Sequence, residues 1–445
     1  MTRFSRRDLF AALAVTPAAR LRGTPTPAPT GPVPSRIVLT YAGDPARTQA
    51  VTWRSEPPVP APQAEIAKFS PDPDFAAASK TVPAAKVVVP TVDGRACHYA
   101  AHFEGLEPNT KYCYRVGDGE SWSGWSVFRT AGAALESFRF LYVGDAQNKI
   151  RSLWSRSIRA AYAAAPDARF IVHAGDLVND GYDDRLWGEW CDAMGLISAE
   201  IPSLPVPGNH DLHRAPGAAD SGTVLAAPST WRCHFAMPAN GPDLPGMPSQ
   251  SYFLDYQGTR FVALDVNAFA NESFDEGARR RVQEAELAWL IRVLRDNRNL
   301  WTIVFQHQPL YAIAKDRDYG EMRAVLAPLY EKYHVDLVLQ GHDHSYARTH
   351  KVARGKVADP AARGVVYAIS VSGPKMYKTH SLNRELMAKI IEHKQFYQTI
   401  SVSPRRIRYN AYSIEGVLVD SFELRKTAAG SVYTTSSATA GAHRV

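Results

Sequence analysis

The sequence has little cysteine, no long apolar run and, outside its first residues, no excess of one charge. Its four cysteines, Cys97, Cys113, Cys191 and Cys233, stand singly along 445 residues. Without a CxxC pair, zinc held mainly by thiolates is disfavoured. If bridges form, Cys97 with Cys113 and Cys191 with Cys233 keep within the domains given below; plain buried thiols suit the spacing as well. A membrane helix needs about 20 consecutive apolar residues and no stretch supplies them, so no transmembrane segment is expected. No internal repeat is visible. The formal net charge of +7 arises largely from Arg3, Arg6, Arg7, Arg20 and Arg22, opposed there only by Asp8. The remaining chain is nearly balanced. One basic run, Arg279 to Arg281, lacks aromatic or further basic neighbours and reads as a solvated helix face, so specific nucleic-acid binding is not expected.

What is present is enough apolar content, 45% of residues, to build more than one core. Residues 1–22 combine the pair Arg6 and Arg7, a short apolar run from Leu9 to Val15 and then small residues. That is the layout of a twin-arginine signal, and it leads us to expect a periplasmic, secreted or cell-surface protein. Residues 23–34 form a Pro/Thr/Gly linker. Over residues 35–131 seven short strand candidates alternate with turns, and "LEPNTKYCYRVG" is similar to a run found in fibronectin type III domains. An all-β sandwich is expected there. Residues 138–424 alternate apolar strands with helical patterns, which predicts an α/β domain, here with two central sheets in four α/β/β/α layers. "YFLDYQGTRFVALDV" predicts a hairpin turning at "QGT". Residues 427–445, small and polar, read as a frayed, disordered tail.

Five of the apolar strand candidates end in groups of metal-ligand type. They carry Asp145 in "VGDAQ", Asp176 in "HAGDLVND", Asn209 and His210 in "PGNHD", His307 in "FQHQP", and His342 with His344 in "QGHDH". Loops beyond the carboxyl ends of α/β strands meet in one crevice, which brings these distant residues together. The glycines ahead of them are expected to provide sharp turns.

The ordered series GD, GD, GNH, H, GHxH resembles that of the calcineurin-like metallophosphoesterase superfamily. With the sandwich ahead of it, the chain resembles the purple acid phosphatases over roughly residues 35 to 424. The resemblance implies two divalent or trivalent metal ions, iron, manganese or zinc, acting on a phosphate-ester substrate. Asp176 would bridge them; Asp145 and His344 would hold the first, and Asn209, His307 and His342 the second. His210 is implied as the group assisting the leaving oxygen after attack by metal-activated water, with Asp211 orienting its imidazole. The expected reaction is phosphomonoester hydrolysis. A phosphodiesterase with the same core, or a cell-surface binding protein with a degenerate metal site, are the alternatives.

Two positions leave the family's pattern. Asn179 stands where purple acid phosphatases place a tyrosinate, and Gln147 where many other superfamily members place a histidine. Both amides are counted as weak ligands to the first metal. The loop 212–250, with Trp231, His234 and Phe235, is expected to wall the pocket. Lys315, Arg317 or Tyr319 are candidates to meet substrate.

Overall fold

The computed structural model describes residues 33–91, 94–214, 222–223, 225–270, 274–427 and 430–435. Residues 1–22, expected as a signal, and most of the expected linker lie outside them. The first domain is a β-sandwich of two four-stranded sheets. It has one strand more than expected: the short Lys80–Pro83 precedes Ala85–Thr91 and pairs with Gln63–Lys68. Its inner faces contribute Trp53, Tyr99, Tyr114 and Phe128 to one core. All four cysteines are buried free thiols.

The second domain holds two seven-stranded mixed sheets. In the first, Ser203–Pro205, Ile171–His173 and Phe138–Val143 run parallel. Phe396–Ser403, Arg406–Ser413 and Leu418–Thr427 follow antiparallel. The sheet closes with Gly430–Thr435, a regular strand where a frayed tail was expected. This strand is held by its side chains as well as its ladder, because the buried Tyr433 hydroxyl accepts a bond from Arg348. The domain therefore runs past residue 424 to at least 435.

In the second sheet, Thr259–Ala263, Trp301–Phe305, Leu337–Gln340 and Val366–Ile369 are parallel. Tyr252–Tyr256 joins as the expected hairpin, turning through Gln257 and Gly258, both at positive φ. Strand alternation decides how the layers stack. Phe261, Ile303, Phe305, Leu337 and Leu339 face the first sheet and share a core with Phe140, whose ring lies 5.3 Å from that of Phe261. Val262, Val304 and Val338 face the other way, onto the helices Glu276–Arg295 and Gly320–Lys332 through Trp289, Leu290, Leu326 and Tyr330. The helices Ser155–Ala164 and Asp184–Met194 cover the first sheet with Ile158, Trp187 and Trp190. Four α/β/β/α layers result, as expected. Side chains cross between the two sheets: beneath the strand ends the Tyr142 hydroxyl, from the first sheet, accepts from the Gln340 N–H at 2.8 Å in the second, and the Tyr252 hydroxyl of the second donates to the Pro205 carbonyl of the first at 2.8 Å.

The domains are joined through buried polar contacts. Arg36 and Arg54 of the sandwich both bind Asp184, at the start of a helix of the second domain. Thr52 Oγ1 donates to the His234 carbonyl at 2.7 Å, and Tyr114 donates to Ala199 at 2.6 Å. The aromatic residues of the 212–250 loop, expected as a pocket wall, belong here instead. Trp231 and Phe235 pack on Trp187 and are buried in the main core.

Candidate metal centre

Each strand end delivers a ligand within a few residues of its last ladder bond. The turns are not made as expected. Among Gly144, Gly175, Gly208 and Gly341 only Gly175 has positive φ, at 82°. The ligands themselves take the left-handed conformation: Asp145 at 56°, Asp176 at 52°, His342 at 73° and His344 at 47°. Such residues cost of order 1–3 kcal/mol each and persist only where the surroundings impose them. The glycines are needed for closeness. A Cβ on Gly208 would lie 2.2 Å from Asp176 Oδ1, and one on Gly341 would lie 2.7 Å from Asp145 Oδ2.

The side chains form two overlapping groups, Asp145 with Asp176 and His344, and Asp176 with His307 and His342. In each, the potential ligand atoms lie within 4.8 Å of one another, and all are buried. Asp176 is the shared member, as a bridge must be. His307 Nε2 lies 3.2 Å from Asp176 Oδ2 and 3.0 Å from His342 Nδ1. The far nitrogen of every imidazole meets an oxygen: His307 Nδ1 the Ala174 carbonyl at 2.8 Å, His344 Nδ1 the Lys375 carbonyl at 3.1 Å, and His342 Nε2 the Tyr319 hydroxyl at 2.6 Å. Donation outward to these oxygens turns a lone pair of each ring inward, the arrangement of metal-ligating histidines.

Two further atoms test the fit. Asn209 Oδ1 and Gln147 Oε1 are buried with no hydrogen-bond partner. A buried carbonyl oxygen is ordinarily satisfied, so Asn209, next in the chain to His210 whose N–H binds Asp176, has the acceptor a cation would take up. Carboxylate, amide oxygen and imidazole together suit iron, manganese or zinc.

Electrostatics agree. Burial pushes Asp145 up to about 7, against the pull of His307 and with the Asp176 charge adding to the rise. Burial also opposes ionisation of Asp176, yet His307 and His210 hold its carboxyl well below the usual range. His307 is raised to about 9: burial works against its charge, and the Asp176 carboxylate prevails. Burial pushes His344 down to about 3. The buried carboxylates thus favour positive charge at this place, which bound cations would supply with His307 ligating as the neutral imidazole.

His210 sits beside this centre and is partly exposed. Its N–H donates to Asp176 Oδ1 at 2.9 Å, and its ring Nδ1 lies 2.9 Å from the Asn179 carbonyl. Asp211 does not orient that ring. Its carboxylate is fully buried and accepts the N–H groups of Leu177 at 2.9 Å, Val178 at 3.2 Å and Gly208 at 2.9 Å. It braces the loop after Asp176 against the loop before Asn209.

Gln147 stands in the site, with Nε2 2.7 Å from Asp176 Oδ2 and 3.2 Å from His344 Nε2. Turning the amide over would present its unpartnered oxygen to a cation. Asn179 differs from expectation, because its side-chain oxygen accepts from Asn148 Nδ2 at 3.1 Å and its carbonyl serves His210. The residues proposed to meet substrate are also redistributed. Tyr319 backs His342, Arg317 binds the His342 carbonyl and Asp343, and Lys315 is exposed. Tyr377, which sequence reasoning missed, sets its ring 4.8 Å from that of His344. The strand ending at Ile369 followed by "SVSGP" was the available signal, since it repeats the strand-then-glycine pattern of the ligand loops.

Comparison with known proteins agrees with this geometry. Residues 34–130 match the model of the purple acid phosphatase N-terminal domain, and residues 138–346 that of the calcineurin-like phosphoesterases. An uncharacterized protein of Mycobacterium tuberculosis is 27% identical over 56% of this chain and 50% of its own. A probable purple acid phosphatase of Arabidopsis thaliana is 26% identical over 56% of this chain and 55% of its own. The chain thus spans about half the length of these relatives. Human acid phosphatase type 7 is 24% identical over 71% of this chain and 70% of its own. Among solved structures, a purple acid phosphatase from yellow lupin superimposes with a TM-score of 0.73 at 16% identity, covering 89% of this chain and 75% of that one. PhoD gives 0.67 at 14%, covering 93% and 94%. Both likenesses are of fold. From its two matched domains, in this order and with these ligands at the strand ends, the chain belongs to the calcineurin-like metallophosphoesterases, among the relatives of the purple acid phosphatases.

Proposed function

We propose that the protein hydrolyses phosphate monoesters with the aid of two metal ions, and that it does so outside the cytoplasm. The observation that carries the catalytic reading is the convergence of five buried side chains, Asp145, Asp176, His307, His342 and His344, on two groups sharing Asp176, with His210 at the partly exposed edge. Bound there, two cations would supply charge neutralisation of the phosphoryl oxygens and an acidified water. The chain's own residues do the rest. Asp176 keeps the two groups together, and its Oδ1 holds the His210 backbone. The Asn179 carbonyl accepts from His210 Nδ1 and so fixes which face the imidazole presents. Nε2 then delivers a proton or hydrogen bond to the leaving oxygen. The export reading rests on residues 1–22 alone.

The test is turnover of p-nitrophenyl phosphate and of its bis ester by protein reconstituted with Mn²⁺, Zn²⁺ or Fe²⁺. The monoester should be the faster substrate and His210→Ala should be far slower than wild type. Equal rates for wild type and His210→Ala with every metal would overturn the catalytic reading. A faster diester would reassign the substrate class.

A further inference from the structure

A second constellation of metal-ligand type lies outside the phosphoesterase centre, at the junction of the two domains. His98 comes from the sandwich strand Gly94–Phe103, whereas Cys233 and His234 follow the short helix Ser229–Arg232 of the catalytic domain. All three are buried, and one potential ligand atom from each lies within 4.8 Å of the others. The two imidazoles meet edge to face with centroids 4.9 Å apart. Both His98 Nε2 and His234 Nε2 are buried with no hydrogen-bond partner. Two such nitrogens beside one thiol are a recurrent requirement of a cation and a poor arrangement for packing alone.

We propose that His98, Cys233 and His234 bind a single thiophilic d10 cation, Zn²⁺ or Cu⁺, which joins the sandwich to the catalytic domain. The donor set suits this class, since thiolate and imidazole favour zinc and copper over magnesium, calcium or manganese. The tautomer of His234 is already set. Its Nδ1 lies 2.6 Å from the Thr230 carbonyl and donates there, which leaves the lone pair on Nε2. Trp187 stacks on the same ring at 5.0 Å and keeps its plane. Burial pushes His98 down to about 2 and His234 down to about 4, so both rings are neutral and able to ligate at neutral pH. The Cys233 thiol is raised by burial and holds its proton until a cation displaces it. Binding therefore releases one proton, with Sγ changing from thiol to metal thiolate. The Cys233 Sγ, which donates to the Thr230 carbonyl at 3.3 Å and lies 3.5 Å from His234 Nδ1, must turn from that side of the ring toward Nε2 to complete the site.

The site also touches the phosphoesterase centre. Thr230, whose carbonyl holds His234, donates its hydroxyl to the Gly181 carbonyl, and the Gly181 N–H donates to the His210 carbonyl at 3.0 Å. Occupancy of the junction thereby bears on the backbone that carries His210.

Cobalt titration of the chelator-stripped full-length protein tests the proposal. The phosphoesterase ligands include no cysteine, so a near-ultraviolet thiolate-to-Co²⁺ charge-transfer band can come only from a cysteine site. The expected result is a band that saturates at one thiolate-bound Co²⁺ per chain, disappears in Cys233→Ser and weakens in His98→Gln. Because the first measurement uses wild-type protein, it does not depend on whether a variant folds. No thiolate band in wild type, or an undiminished band in folded Cys233→Ser, overturns the site. Adding Zn²⁺ or Cu⁺ to the cobalt form should bleach the band, and the ion that does so at lower free concentration is the one the site prefers. Failure of both to displace cobalt overturns the assignment to a d10 ion.

Discussion

Replacing Asp211 by asparagine separates a loop brace from a catalytic partner. The two oxygens of Asp211 accept three backbone N–H groups, two on Oδ1 from Leu177 and Val178 and one on Oδ2 from Gly208. An asparagine can keep its oxygen toward Leu177 and Val178, but its NH₂ must then face the Gly208 N–H, donor against donor. One buried N–H is left unsatisfied, at about 1–3 kcal/mol. For a domain of this size, that corresponds to a thermal midpoint lowered by roughly 2–5 °C. Asp211→Ala abandons all three donors and should lose at least about 3 kcal/mol. Gly208 precedes Asn209 directly, so a shifted loop should also weaken binding at the second metal group. The assay is calorimetry of both variants without added metal, followed by turnover at saturating metal. The reasoning is refuted if Asp211→Asn unfolds within about 1 °C of wild type. An unchanged midpoint with collapsed turnover would restore Asp211 as the partner of His210.

Two further outcomes are expected. Gln147→His places an imidazole where the amide now lies 3.2 Å from His344 Nε2 and should tighten the first metal group, read as a lower dissociation constant in competition with a chelator. Unchanged affinity would mean that residue 147 gives no ligand. Glu286 is held well above its usual range by burial, with the Asp265 charge adding to the rise and Ser251 opposing it. A carboxyl raised on folding contributes stability that is complete below the unfolded value, about 4.3, and is lost as pH climbs through the folded one. Glu286→Gln should therefore flatten the decline in thermal midpoint above about pH 4.3, and parallel curves for the two proteins would contradict the shift.

The candidate ligands were legible because a strand end imposes both an apolar run and an abrupt polar stop, a pattern that survives in one dimension. Asp145, Asp176, Asn209, His307, His342 and His344 all announced themselves in this way. The roles of supporting atoms were not legible. Asp211 adjoins His210 in sequence, but the loop turns its carboxylate toward Leu177, Val178 and Gly208, and no spacing rule conveys that turn. The strand Lys80–Pro83 is almost wholly exposed and has no buried face to generate a pattern. Gly430–Thr435 is short and mostly small or polar, and its large residue, Tyr433, is anchored by Arg348, far away in the chain. The domain junction was missed for the same reason: His98 and His234 are ordinary in sequence and meet only after two domains have packed.

The ligands are divided between the sheets, with Asp145, Asp176 and Asn209 rising from the first and His307, His342 and His344 from the second. The Tyr142 hydroxyl on Gln340, with Tyr252 on Pro205 and Trp301 on Ser403, limits how these two halves slide against each other. The sheet gap therefore acts as a gauge, and the spacing of any ion pair is inherited from the packing of Phe140 against Phe261 and their neighbours. A substitution deep in that layer, touching no ligand, would recalibrate the centre, and selection for a different metal could begin there.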